Sequence, residues 1–384
     1  MSLHPLSKRA GVYLHVPFCR SRCSYCDFAT GMYDSAVARR YVEILRQEIL
    51  GFQLAAPDEE IDTIYFGGGT PSLLSPAQLE SILRAVRKRF EVAADAEVTL
   101  ELNPGELQPE VLREFRRLGI NRASFGAQTF SDHELKQLGR THTAEDIRQT
   151  FAHLRDAGFA NISFDLIAAL PGQSLDDWSR NLEHALALRP EHLSLYLLEV
   201  HEATPLADQI KRGARVLPDE DLAADMYRLM VQKVCAAGYL QYEISNFCRP
   251  GYESRHNTKY WTGAPYYGFG CSAHSFDGRA RRWANERDPA KYVELIEGHL
   301  PPVTEVTELS EKDKRAESVF LGLRLLSGIS LTDYRLRFGA DLRTDRSAEI
   351  DRLSEAGLIE LDNDLLRLTA TGALLSNEVF ASLS

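Results

Sequence analysis

The chain has 384 residues, with 44 basic against 55 acidic side chains, a net charge of −11, and 44% hydrophobic residues. That length suits a barrel-sized unit with a smaller appendage, and the composition supports an ordinary packed core. The acidic balance disfavours nucleic acid as a partner, and no apolar run reaches the roughly 18 residues that a membrane-spanning helix requires.

The opening MSLHPLSKRAGVYLHV lacks the apolar stretch and small-residue site of a secretory leader. The expected location is the cytoplasm, where thiols stay reduced, so six cysteines point to metal or catalysis before disulfides. Short apolar, β-branched runs predict strands at 11–16, 61–66, 97–102, 122–125, 162–167 and 192–200. Amphipathic patterns between them predict helices at 35–51, 76–90, 108–118, 143–157 and 174–188. Strands alternating with helical crossovers imply an α/β fold with a parallel sheet, here a partial (β/α)6 barrel spanning 1–217. Polar or glycine residues follow the strands: His15, Gly67 to Thr70, Glu101 and Asn103, Gln128, Asp165 and Glu199. In a parallel barrel these gather at one rim, where ligands bind.

From 218 the rhythm changes. A helix at 219–237 leads into an aromatic stretch at 239–276, and 218–300 is expected to extend the barrel. The last part, 301–384, shows three helical patterns, a hairpin turning at Asp362–Asp364 and a final helix. Helices with a small hairpin suggest a winged-helix-like unit, and the acidic balance makes it a packing element rather than a reader of nucleic acid.

The chemistry concentrates in HVPFCRSRCSYCDF, with Cys19, Cys23 and Cys26. Thiolates are soft ligands for iron–sulfur clusters and zinc. A four-iron cluster takes four thiolates when fully ligated, so three from one loop leave one iron open. Two plain alternatives exist: three core cysteines on one helix face, which Pro17 disfavours, or a zinc site with His15 as fourth ligand.

The spacing C-x3-C-x2-C after the first strand, with Tyr25 before the last cysteine, resembles the signature of radical S-adenosylmethionine (SAM) enzymes. YLHVPFC, YFGGGTPSLL, ELNPG, FGAQTF, FDLIAALPGQ and HNTKYW together resemble the coproporphyrinogen oxidase-like branch, and within it the heme-chaperone group. This resemblance runs from Tyr13 to the C-terminus. It implies a [4Fe–4S] cluster on Cys19, Cys23 and Cys26, with SAM held by Tyr13, Tyr25, Gly68, Gly69, Thr70, Glu101, Gln128, Arg140 and Asp165. The decarboxylases of the branch carry a further cysteine two residues after the third and a long segment before the first strand; here Phe28 stands at that position and twelve residues precede Tyr13. The resemblance therefore implies a heme carrier rather than a coproporphyrinogen III decarboxylase, with acceptor hemoproteins as partners, an electron donor if SAM is cleaved, and a homodimer.

The segment His256, Asn257, Tyr260 and Trp261 matches a heme motif of the chaperone group. A neutral imidazole suits heme iron, and two aromatic rings offer faces for a macrocycle. A packed aromatic loop with a hydrogen-bonded histidine is the structural alternative, and His274 is a second candidate. Cys248 and Cys271 are expected to be buried small residues.

Overall fold

The computed structural model describes residues 9–53 and 59–384, so the reading of the first eight residues lies outside it. Six strands, β1 (Arg9–Val16), β2 (Glu60–Gly68), β3 (Glu91–Leu102), β4 (Arg122–Gln128), β5 (Ile162–Ala168) and β6 (His192–Leu197), stand side by side in chain order. Each neighbouring pair is parallel, with Tyr13 opposite Tyr65, Thr99 opposite Arg122 and Asp165 opposite Ser194. Parallel neighbours need crossovers. The helices Ser35–Gly51, Pro76–Arg89, Pro109–Arg117, Ala144–Asp156 and Leu175–Leu188 supply them. Four of these helices start at side chains that accept from the first free N–H groups: Asp34, Ser75, Thr143 and Ser174. The result is a partial (β/α)6 barrel.

The parallel core is the middle of a longer, open sheet. Tyr266–Phe269 adds a parallel strand beside β1, and three antiparallel strands continue from it. At the other edge Asn246–Cys248 runs antiparallel to β6 and Leu240–Glu243 runs antiparallel to Asn246–Cys248, giving twelve strands among the described residues. The aromatic stretch 239–276 thus becomes short strands and one short helix, Arg255–Thr262.

Side chains alternate across the sheet, as period-two geometry requires. Val12, Leu14, Ile64, Phe66, Val98, Leu100, Phe125, Phe164, Leu166, Leu193 and Leu195 belong to the apolar core shared with the helices. The opposite face carries Tyr13, His15, Thr63, Tyr65, Glu97, Glu101, Arg122, Ser163, Asp165, His192 and Tyr196. Strands covered on both faces usually read as continuous apolar runs. Here the inner face is polar and mostly buried, with Tyr196 near the end of β6 keeping 40% of its surface accessible.

In the C-terminal part, Ile359–Asp362 and Leu365–Leu368 form the expected hairpin, turning at Asn363 in the left-handed region. Ile329–Ser330 joins it as a third strand, and Val319, Leu323, Ile350, Leu366 and Val379 fill the space between this sheet and the surrounding helices. Among the described residues no helix is long and apolar enough to cross a membrane.

Candidate functional site

The three cysteines lie on the loop that follows β1, at the C-terminal end of the barrel strands. The loop is fixed from several sides. Phe18–Cys19 pairs with Gly31–Met32, the Ser24 N–H donates to the Leu138 carbonyl at 3.0 Å, and the Leu206 N–H donates to the Ser24 carbonyl at 2.8 Å. All three thiols are partly buried and near enough that a charge on Cys23 or Cys26 raises the pKa of Cys19. Burial is the larger cause and pushes the Cys19 thiol up to about 11.

A relay of polar groups ties two of the thiols together. Thr70 Oγ1 donates to Cys19 Sγ at 3.8 Å and accepts from Asn103 Nδ2 at 2.8 Å. Asn103 Oδ1 accepts from Arg140 Nη2 at 3.1 Å, and Arg140 Nη1 donates to Cys23 Sγ at 3.3 Å. Arg140 thereby joins the Cys23 sulfur to the Asn103–Thr70 pair that reaches Cys19. The relay was not foreseen; Asn103 in ELNPG had shown only as a polar residue after a strand.

The glycines after β2 are required by close approach. A Cβ at Gly69 would lie 2.5 Å from the Phe18 carbonyl oxygen and 3.0 Å from Cys19 Sγ. Gly68 has φ +112°, which side-chain-bearing residues avoid, and its N–H donates to Glu101 Oε2 at 3.2 Å. Tyr65 donates to the other Glu101 oxygen at 2.7 Å. Burial pushes Glu101 up to about 7 and Asp165 up to about 6, and each stands in reach of the Arg122 charge. Gln128 ends β4 at φ +64°, a strained conformation for a residue with a side chain. Tyr13 stacks on Tyr65 with ring centres 6.1 Å apart, and Tyr25 packs against Leu138, Ile167 and Leu170.

The rim therefore brings together Cys19, Cys23, Cys26, Gly68, Gly69, Thr70, Glu101, Gln128, Arg140 and Asp165. The donor set fits a thiolate-bound cluster with one open metal. Arg140 has a buried Nε without a partner among the described residues, and the glycine-lined approach beside Cys19 has no room for a side chain. His15 does not serve as the fourth ligand of a zinc site. Its Nε2 lies 3.0 Å from the Ala29 carbonyl oxygen and its Nδ1 3.1 Å from the Tyr13 hydroxyl. Among the described residues no three His, Cys, Asp or Glu groups converge closely enough to hold one ion.

The HNTKYW segment forms the Arg255–Thr262 helix, beneath the rim, with the His256 ring 6.4 Å from that of Tyr13 and 5.1 Å from that of Tyr65. It closes the N-terminal end of the barrel. The N–H groups of Arg255 and His256 donate to Glu97, in the middle of β3, at 3.2 and 3.1 Å. Lys259 Nζ pairs with Asp62 at 2.6 Å. His256 is 1% exposed, with Nδ1 2.9 Å from Thr63 Oγ1 and Nε2 2.9 Å from the Tyr260 hydroxyl. Burial holds its pKa down at about 3, so the ring is neutral. An axial role for His256 would require breaking both hydrogen bonds and unpacking the ring. Asn257 donates its N–H to the Ser254 cap, and Tyr260 meets Trp261 at 75°, so the two rings form no common flat face. His274 is exposed on Arg281's neighbouring strand, while Cys248 and Cys271 are fully buried.

The radical SAM superfamily model matches residues 13–185, and the HemN C-terminal domain model matches residues 309–375. The chain is 36% identical over 371 residues to the heme chaperone HemW of Bacillus subtilis, covering 96% of this chain and 98% of that protein. It is 38% identical over 301 residues to the heme chaperone HemW of Escherichia coli, covering 77% of each. Among solved structures, the coproporphyrinogen III oxidase HemN of Escherichia coli superposes with a TM-score of 0.83 at 24% identity, over 98% of this chain and 89% of that one. That likeness establishes the fold.

Proposed function

Since the chain belongs to the HemW family of heme chaperones, within the radical SAM superfamily, we propose that it binds heme and delivers it to acceptor hemoproteins in the cytoplasm. The observation that carries this reading is the 36% identity to a heme chaperone along 98% of that protein's length. Phe28 supports it, since it stands 60% exposed where the decarboxylases place a further cysteine.

Radical SAM membership brings a [4Fe–4S] cluster and SAM. We assign the cluster to Cys19, Cys23 and Cys26. When bound, it supplies an open iron that can chelate SAM and pass it an electron. The chain's own groups do the rest. Arg140 offers its Nε, which has no partner among the described residues, to the SAM carboxylate, beside the thiol it already touches. The backbone of Gly68 and Gly69, with Thr70, takes the methionyl amine. Glu101, Gln128 and Asp165 point into the lumen where ribose hydroxyls need acceptors. Tyr13 lines the approach from β1, and the backbone at Tyr25 meets the adenine. An electron donor is needed wherever SAM is cleaved, because the cluster must be reduced first. A homodimer belongs to the same proposal and is read by light scattering.

The test is a pair of assays on one anaerobically reconstituted sample. The protein takes up heme and passes it to an apo-hemoprotein, and it gives no turnover of coproporphyrinogen III with reductant and SAM. Sustained decarboxylation, or failure to release heme to any acceptor, would overturn the reading.

A further inference from the structure

Arg122 stands apart from the other cations of the barrel. It opens β4 on the inner face, opposite Thr99 of β3, and only 1% of its surface is accessible. A guanidinium is a permanent charge, and burying one is costly unless a partner or a neighbouring charge offsets the lost water. Arg122 Nε and Nη1 are buried without a hydrogen-bond partner among the described residues, and the side chain forms no ion pair there. Lys259, by contrast, has Asp62 at 2.6 Å, and Arg324 is paired with the fully buried Glu243.

The charge faces two acids in the layer above it. Glu101 lies two residues beyond Thr99 on β3, and Asp165 lies on β5 between Gly126 of β4 and Ser194 of β6. Burial raises the pKa of both acids, and the Arg122 charge works against it, on Asp165 more strongly than Arg140 does. In a buried setting a charge acts well beyond hydrogen-bond distance, because little water screens it. The remaining neighbours supply no substitute. Tyr65 and the Gly68 N–H donate to Glu101, while Tyr13, Tyr196 and Tyr260 face it as neutral phenols. Ser194 stands beside Asp165, and burial keeps His192 and His256 below neutral. Glu97, lower on β3, accepts from the N–H groups of Arg255 and His256.

We propose that Arg122 is a positioning residue of the SAM site, the fixed positive charge against which Glu101 and Asp165 stay ionised to accept from the cofactor's hydroxyls. The proposal rests on the assignment of those two acids to SAM and adds to it a group one layer deeper in the lumen. Arg122 acts here as a charge and not as a two-pronged contact, so a lysine should serve in its place, which fork-like recognition would not allow. The sign of the pH response follows. The ionised acids bind the hydroxyls, so SAM affinity is high at alkaline pH and falls as pH drops through their range. Loss of Arg122 moves that fall to higher pH.

The reconstituted full chain is titrated with SAM from about pH 5.5 to about pH 8.5, as wild type, Arg122→Met and Arg122→Lys, with iron content as the control. The wild type should lose affinity below about pH 7. In Arg122→Met the fall should begin about one pH unit higher, which weakens SAM about tenfold near neutrality and little at the alkaline end, and Arg122→Lys should follow the wild type. An unmoved midpoint in Arg122→Met, or a loss equal at every pH that lysine does not rescue, overturns the proposal and leaves the SAM assignment standing. A wild type that holds its cluster and binds no SAM at any pH overturns both. The wild-type profile needs no variant: an affinity constant across the range overturns the proposal even if Arg122→Met unfolds the chain.

Discussion

The two ends of the barrel are built from similar residues and in opposite ways. At the N-terminal end the histidines and the lysine have partners, with His256 between Thr63 and Tyr260, His192 between Ser163 and Tyr242, and Lys259 facing Asp62, while Arg122 and Trp261 keep buried nitrogens without one among the described residues. At the C-terminal rim the thiols are half-open, Arg140 keeps a nitrogen without a partner, and the half-buried Glu101 and Asp165 have no ion pair, all among the described residues. Satisfied polar groups stabilise a fold, while unsatisfied ones cost stability and mark where a ligand completes the structure. The comparison teaches that a histidine motif is not a ligand site merely because its residue types suit one.

Substitutions at the two ends should separate binding from stability. The largest effect is expected from Cys23→Ser, which should drop iron after anaerobic reconstitution from about four per chain to a small fraction, with little change in the cluster-free melting temperature. Retention of a full iron complement would remove Cys23 from the ligand set. Next comes Gly69→Ala. The new methyl group meets the Phe18 carbonyl, so the cluster loop must shift, and iron uptake should fall well below wild type while the fold survives. Normal uptake would show that the close approach is dispensable.

At the other end, His256→Ala should leave iron content intact and lower stability by about 2–4 kcal/mol, from the cavity and two orphaned hydroxyls. Denaturant melts measure the loss, and a variant as stable as wild type would contradict the account of a satisfied floor. The smallest effect is the pH response of Glu101. Folded Glu101 keeps its proton up to about 7, whereas the unfolded chain releases it near 4.5, so the folded state holds the extra proton in that window. This group's contribution to stability is therefore present at low pH and is lost as pH rises from about 4.5 to about 7. Measured without SAM, the melting temperature of Glu101→Gln relative to wild type should rise between pH 4.5 and pH 8. A flat difference would mean that Glu101 titrates normally.

Much of this was legible in the sequence. The five crossover helices were found with ends within a residue of those observed, because caps such as Ser75 and Thr143 are local signals. The cysteine loop and the residues after each strand were found because a parallel barrel places all such positions on one rim. Two things were hidden. The antiparallel flanks are short and aromatic, and their pairing depends on partners far along the chain. For His256 the sequence left a heme contact and a hydrogen-bonded ring both open, and its partner was hidden, since Thr63 lies 193 positions away and no periodicity reports that contact. Arg122 also escaped notice, because only the register of β4 turns it toward the buried acids.

The central claim is that the rim, and not the floor, holds a cluster with one iron open to SAM. Low-temperature EPR of the reduced, reconstituted protein, recorded with and without SAM, tests it most directly. A four-iron signal that changes on adding SAM, in the wild type and equally in His256→Ala, is the predicted result. A signal indifferent to SAM, or a SAM response that disappears when His256 is replaced, would contradict it.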